Sequence, residues 1–242
     1  MGVNLICYKR IMNYNRVPTP ATSPPENEAE LLARARTLAG YSLGQLAKRA
    51  DWLVPANLRT AKGWAGQLVE LYLGATAGSR QEQDFPHLGI ELKTIPINDL
   101  GMPLETTYVC IAPLLHLNGV HWLQSNVYNK LQRVLWVPLD GRREIPPGER
   151  IIGPAVLWSP TAQQNAALQQ DWEEITEHIV LGQIEQVTAR TGTVLQLRPK
   201  AADGSVLTAA VGACGQIIQT RPRGYYLKKE FTCQILTEAL EL

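Results

Sequence analysis

The stretch Asp84-Phe85-Pro86-His87-Leu88-Gly89-Ile90-Glu91-Leu92-Lys93-Thr94-Ile95 decides how the chain is read. From Leu88 to Ile95 it suits a short strand, on which Glu91, Lys93 and Ile95 share one side and Ile90 and Leu92 the other. Acid and ammonium are therefore neighbours. Pro86 and Gly89 interrupt regular structure and can return the chain, bringing Asp84 back beside Glu91. Two carboxylates and a lysine then converge. Hard divalent cations such as Mg²⁺ take oxygen ligands and keep several waters, so such a pair suffices to hold one against a phosphate. Lys93 can steady a water or the scissile phosphate. A metal lowers the water pKa and offsets charge in the transition state, which makes this a candidate hydrolytic site. The same acid and lysine spacing also suits a solvated strand face, and the pattern alone does not choose between the two.

Composition sets the frame. A chain of 242 residues can bury a real core as one large domain or two lobes. Apolar residues make up 45% and charged ones 19%, an ordinary globular balance. With a net charge of only +1, any contact with nucleic acid must be local rather than spread over the whole surface. Cys7, Cys110, Cys214 and Cys233 show no zinc spacing and read as reduced cytoplasmic thiols. No run is long enough to span a bilayer. Residues 1–22 read as a flexible N-terminal extension or a mis-set start, and 23–242 as a single two-lobed domain.

Pro24 and Pro25 after Ser23 suit a helix entry, with Leu31, Leu32, Ala35 and Leu38 at helical spacing before Gly40. Ser42 and Gln45 form a capping box for a second helix. A third, about 63–73, places Trp64, Leu68 and Leu71 on one stripe and Gly63, Gln67, Glu70 and Gly74 on another. Glu70 is either an exposed glutamate or a third carboxylate for the metal. Thr106 to Ala112 and Val134 to Val137 read as strands, and His116 and His121 between them as structural. Lys130, at a helix end, reads by itself as a surface lysine.

Ser159 and Pro160 suit the cap and first position of the longest helix, which ends at Gly182. Asp171, Glu173, Glu174, Glu177 and Glu185 give this region an acidic exposed side, an outer or protein-docking surface that would repel DNA. The balance reverses from Ala189 on, where Arg190, Arg198, Lys200, Arg221, Arg223, Lys228 and Lys229 surround Tyr225 and Tyr226. This segment is either a DNA-reading lobe or a solvated charged surface. A terminal amphipathic helix carries Phe231, Ile235 and Leu236.

Five runs, in order from Gly63 to Lys229, carry a resemblance that is more specific than any single motif: Gly63 to Ala75, Gln83 to Phe85, Gly89 to Pro96, Arg133 to Pro138 and Pro222 to Lys229. Together they resemble the MutH family, bacterial endonucleases of methyl-directed DNA mismatch repair. The resemblance runs from about Ser23 almost to the C-terminus. It implies a restriction-endonuclease-like α/β fold, a mixed sheet flanked by helices, with two lobes around a DNA-binding cleft. By that resemblance Asp84, Glu91 and Lys93 fall on the catalytic positions, Glu70 comes from a helix of the other lobe, and Lys130 is a supporting cation. Asp84, Glu91, the Leu92 carbonyl and Glu70 would hold Mg²⁺. Lys62, Tyr108, Arg198, Lys200 and Tyr226 would contact DNA, with Tyr108, Arg198 and Tyr226 sensing adenine methylation. Gln83 departs from the proline often found there in the wider superfamily. The implied activity is a Mg²⁺-dependent nick in the unmethylated strand at hemimethylated or unmethylated GATC, by a cytoplasmic monomer acting with MutL and indirectly MutS. The alternative is a type II restriction endonuclease that cuts both strands at GATC.

Overall fold

The computed structural model describes residues 17–58, 60–78, 80–200 and 205–240. In chain order come helices α1 (Glu28–Leu38), α2 (Leu43–Arg49) and α3 (Trp64–Leu73), then strands β1 (Glu91–Ile97) and β2 (Thr107–Ile111). Helix α4 (Asn126–Leu131), strands β3 (Val134–Asp140) and β4 (Val156–Trp158), and helix α5 (Ala162–Val180) follow. Strands β5 (Leu195–Pro199), β6 (Thr208–Val211), β7 (Ile217–Thr220) and β8 (Arg223–Leu227) lead to helix α6 (Lys229–Leu240). The fold is mixed α/β. The described residues divide into two compact units, one lying within 1–105, 133–158 and 233–242, the other within 106–132 and 159–232.

In the first unit β3 lies between β1, which it meets in parallel, and β4, which it meets antiparallel. Every residue of β3 is buried, as a central strand covered on both faces requires. Leu92 and Ile90 join Leu135 and Val137 in one core cluster with α1, α2 and α3. The predicted capping box forms, since Ser42 Oγ accepts from Gln45 N while Gln45 Oε1 accepts from Ser42 N. Helix α1 begins later than the prolines suggested, at an Asn27 cap. Gly63 and Gly74 are the two caps of α3 rather than gaps along its face. Of the extension expected at 1–22, residues 1–16 lie outside the described residues, while Val17 packs on the core and Ala21 N donates to Leu71 O at 3.2 Å.

In the second unit β8 runs antiparallel between β2 and β5, and β6 and β7 form a separate hairpin. The long helix α5 starts at a Thr161 cap with its own capping box to Gln164, two residues past the expected Ser159. Its acidic side is smaller than the sequence suggested. Glu173, Glu174 and Glu177 are exposed, but Asp171 is only 2% exposed. The Asp171 carboxylate accepts bonds from the backbone N–H of Thr193, Val194 and Leu195, at 2.7 to 2.9 Å, and so ties the entry of β5 to α5. Glu185 is likewise engaged, accepting from Thr220 Oγ1 at 2.7 Å and from Arg223. Among the described residues no helix is long and apolar enough to cross a membrane.

The end of β3 is clasped by Asp140, which is 3% exposed and receives both Nε and Nη2 of Arg142. Burial alone would raise this carboxyl, but the Arg142 hydrogen bonds and the nearby Arg150 charge outweigh it and hold the group below the ordinary carboxylate range. A depressed folded pKa gives stabilisation that is complete above the unfolded value of about 3.9 and is lost as pH falls through the folded one. Asp140→Asn should therefore cost about 1–3 kcal/mol at pH 7. Urea unfolding at pH 7 and near pH 3.5 checks this, and the gap between the two chains should narrow in acid.

Candidate active site

The turn between Asp84 and Glu91 is closed by its backbone. Phe85 N donates to Ile90 O at 2.9 Å, and Ile90 N returns to Phe85 O at 3.3 Å. Gly89 supplies the left-handed residue of this turn, with φ of 66°. Phe85, with no exposed surface, anchors the turn in the core. An antiparallel bridge joining Phe85 to Ile90 sets Asp84 opposite Glu91 one step further on. Pro86 and Gly89 thus do what the sequence suggested.

Strand β1 is an edge strand, and the direction of its polar groups is fixed by one bond. Glu91 N donates to Arg133 O at 3.0 Å, so Glu91 turns its backbone groups toward β3 and Leu92 turns its own toward the open edge. The next same-parity carbonyl but one agrees, since Pro96 O is reached from the edge side by Leu104 N at 2.9 Å. Asp84 occupies that edge and accepts the Leu92 N–H on Oδ2 at 2.7 Å. The Leu92 carbonyl faces the same edge as the Asp84 carboxylate.

Glu91 and Lys93 leave the other face of the strand from Leu92 and form an ion pair, with Glu91 2% exposed. Lys93 stands in register beside Trp136 of β3, a fully buried side chain that packs on Trp158 at 6.2 Å between ring centroids. An ion pair against an apolar wall is little screened by solvent. Glu70 does not come from the other unit. Its helix α3 and β1 belong to the same unit, and a Cβ built on Gly66 would lie 3.6 Å from Thr94 Oγ1 and 3.9 Å from Glu70 Oε1. Thr94 shares the core-facing side of β1 with Leu92, so α3 packs opposite the Glu91 and Lys93 face. Among the described residues no three His, Cys, Asp or Glu side chains gather in a group able to hold a metal ion. Lys130 belongs to the second unit and, against the expectation of a surface lysine, is 8% exposed.

The residues expected to contact DNA fall mostly on one sheet of the second unit. Tyr108 of β2, Tyr226 of β8 and Gln196 of β5 stand in one row across it. The two tyrosine rings meet edge to face at 5.3 Å. Lys200 Nζ lies 4.3 Å from the Tyr108 ring centre and the Arg198 guanidinium 5.7 Å from that of Tyr226. Arg198 Nη1 also donates to Thr106 Oγ1 at 2.8 Å. Tyr225 points the other way, 1% exposed, and burial pushes its phenol well up from the usual tyrosine range. Lys62 is exposed in the loop before α3, in the first unit.

A family model described as the DNA mismatch repair enzyme MutH matches residues 73–171. The DNA mismatch repair protein MutH of Shewanella amazonensis is 58% identical over 218 residues, which cover 90% of this chain and 97% of that protein. Its counterpart in Escherichia coli O1:K1 is 55% identical over 219 residues, 90% of this chain and 96% of that protein. The chain belongs to the MutH family. The matched block of that family model contains Asp84, Glu91, Lys93, Tyr108 and Lys130, while the full-length relatives extend the likeness across most of the chain, on both sides of that block.

Sequence reasoning missed two features of this candidate site. The Leu92 amide as the tie for Asp84 follows only from knowing which edge of β1 is open. Trp136 beside Lys93 follows only from the parallel register. The ion pair yields a stability prediction. Lys93→Met leaves the buried Glu91 charge without its ammonium and should cost about 3 kcal/mol, part of which returns when Glu91→Gln is added. Urea unfolding of the two single variants and the double variant measures that coupling.

Proposed function

We propose that this chain is a metal-dependent endonuclease of mismatch repair that nicks the unmethylated strand at hemimethylated or unmethylated GATC. The observation that carries the reading is the bond from Leu92 N to Asp84, which gathers Asp84 and the Leu92 carbonyl on one strand edge next to Glu91. Family membership supports the repair context.

The donor set fits a hard divalent cation, being two carboxylates and a backbone carbonyl with no sulfur or imidazole. Asp84, Glu91 and the Leu92 carbonyl would hold Mg²⁺, which when bound supplies an activated water and offsets phosphate charge. Glu70 adds negative potential on the same unit, drawing a dication to β1. Lys93 carries three N–H donors on Nζ and is held at the site by Glu91. It orients a water or donates to a phosphate oxygen as negative charge builds there. Lys130 is the supporting cation, a role assigned by the resemblance alone.

Lys62, Arg198 and Lys200 take phosphates or base edges, and Tyr108, Tyr226 and Arg198 read the adenine that carries or lacks the methyl group. Contacts this few on a chain of net charge +1 give modest, salt-dependent affinity, which suits an enzyme activated by a partner. That partner is MutL, signalling a mismatch bound by MutS. The exposed Glu173, Glu174 and Glu177 of α5 and the helix α6 are the surfaces proposed to meet it.

Supercoiled plasmid carrying unmethylated, hemimethylated or fully methylated GATC, incubated with Mg²⁺, tests the reading. Nicked circles should form from the first two substrates and not the third, and Glu91→Ala should lower the rate by about a thousandfold or more. Linear product from a single unaided encounter would instead identify a restriction enzyme. Equal cutting of methylated and unmethylated plasmid would remove the methyl-directed role.

A further inference from the structure

We propose that Gly224 is a positioning residue for sequence reading on the face formed by β2, β8 and β5, an inference that rests on that face being the DNA contact surface. Gly224 sits in the middle strand β8, opposite Ile111 on one side and Arg198 on the other. Between Tyr108 and Cys110 the register of β2 shifts by a bulge. The edge of the Tyr108 ring lies over Gly224. A Cβ built at Gly224 would lie 2.9 Å from Tyr108 Cε2, 3.2 Å from Cys110 O and 3.4 Å from Lys200 Cβ. The first two are closer than ordinary Cβ contacts and the third is ordinary contact, so the edge of the ring rests on the space where a side chain would be.

The three expected readers and Lys200 form one chain of contacts that includes that ring. Lys200 lies over the Tyr108 ring, Tyr108 meets Tyr226 edge to face, and Tyr226 carries Arg198. The missing methyl therefore sets the height of one ring and, through it, the placement of its neighbours. Alanine introduces no backbone strain, because Gly224 does not occupy the left-handed region. A methyl there requires both the Cys110 carbonyl and the Tyr108 ring to give by a few tenths of an ångström, and of the two it is the ring, a side chain on the face of the sheet, that carries its neighbours with it. A shift of that size matters to groups that must be held within about 0.5 Å to read a base edge. It matters little to a flexible lysine or arginine on a phosphate. Gly224→Ala should therefore lose discrimination and keep non-specific affinity.

The test is fluorescence anisotropy of the full chain with two duplexes, one bearing unmethylated GATC and one with the site scrambled, alongside thermal melting. Gly224→Ala should reduce the preference for GATC by about tenfold or more, with binding to the scrambled duplex unchanged and the chain still folded at the assay temperature. In a Tyr108→Ala background the same change should have no further effect, since the ring it displaces is gone. A retained preference in Gly224→Ala overturns the inference, as does an equal loss in the Tyr108→Ala background. Unfolding of Gly224→Ala overturns it too, because the ring is then not what gives way. A parent chain with no preference for GATC removes the DNA-reading assignment itself, a failure visible before any variant is measured.

Discussion

The parallel pairing of an edge strand with a buried one is the constraint from which the face proposed to be catalytic follows. Glu91 N reaches Arg133 O across β1 and β3, and this parity sends the Leu92 amide outward to Asp84. Side chains obey the same parity, with Leu92 in the core cluster and Glu91 and Lys93 on the other face. A slip of one residue would drive the Glu91 carboxylate into that core and leave Leu92 outside. Burial of Ile90 and Leu92, at about 1.5–3 kcal/mol each, holds the register against that slip. The apolar half of the strand therefore fixes where the polar half can act.

The second unit solves a different problem, that of concentrating cations on a chain with almost no net charge. Arg198 and Lys200 lie over tyrosine rings rather than extending freely, which confines their charge to one face of the sheet. Behind that face the buried Asp171 gathers three successive amides at the start of β5, and Lys228 reaches Gly192 O in the same loop. A carboxylate inside an acidic stretch, read along the chain as surface, is in fact the fastening of the strand that presents Arg198.

Much of this was legible in residue order. The alternation and the interrupters Pro86 and Gly89 were enough for the two faces and the return of Asp84, because those depend on local geometry, although the strand expected at 88–95 begins at Glu91, after a turn that takes up Leu88 and Gly89, and runs on to Ile97. The capping box at Ser42 was legible for the same reason. What stayed hidden was set by partners distant in sequence. Strand β4 has three residues, too few for a periodic signal, and exists because Val134, Leu135 and Trp136 offer it a ladder. Asp171 and Lys130 are polar letters on helices, and nothing local reports that tertiary packing has buried them. The assignment of Glu70 to another lobe came from resemblance and fails on the grouping of α3 with β1.

In the proposed reading, the resting partners of the cations bear on how discrimination would arise. Lys93 is paired with Glu91, Lys200 lies over Tyr108, and Arg198 touches both Thr106 and Tyr226. Any phosphate or base edge that recruits these groups gains only the difference between the new contact and the one given up. Weak net affinity and strong discrimination are then compatible, because an imperfect substrate fails to repay the resting contacts that a matched one replaces. The same logic would apply at the strand proposed to be catalytic. Glu91 is paired with Lys93, so a divalent cation held by the Glu91 oxygens would compete with the Lys93 ammonium, which would then be available to a phosphate oxygen. In the proposed reading, availability of the lysine and occupation of the carboxylates would be one event, with no moving part beyond a single side chain.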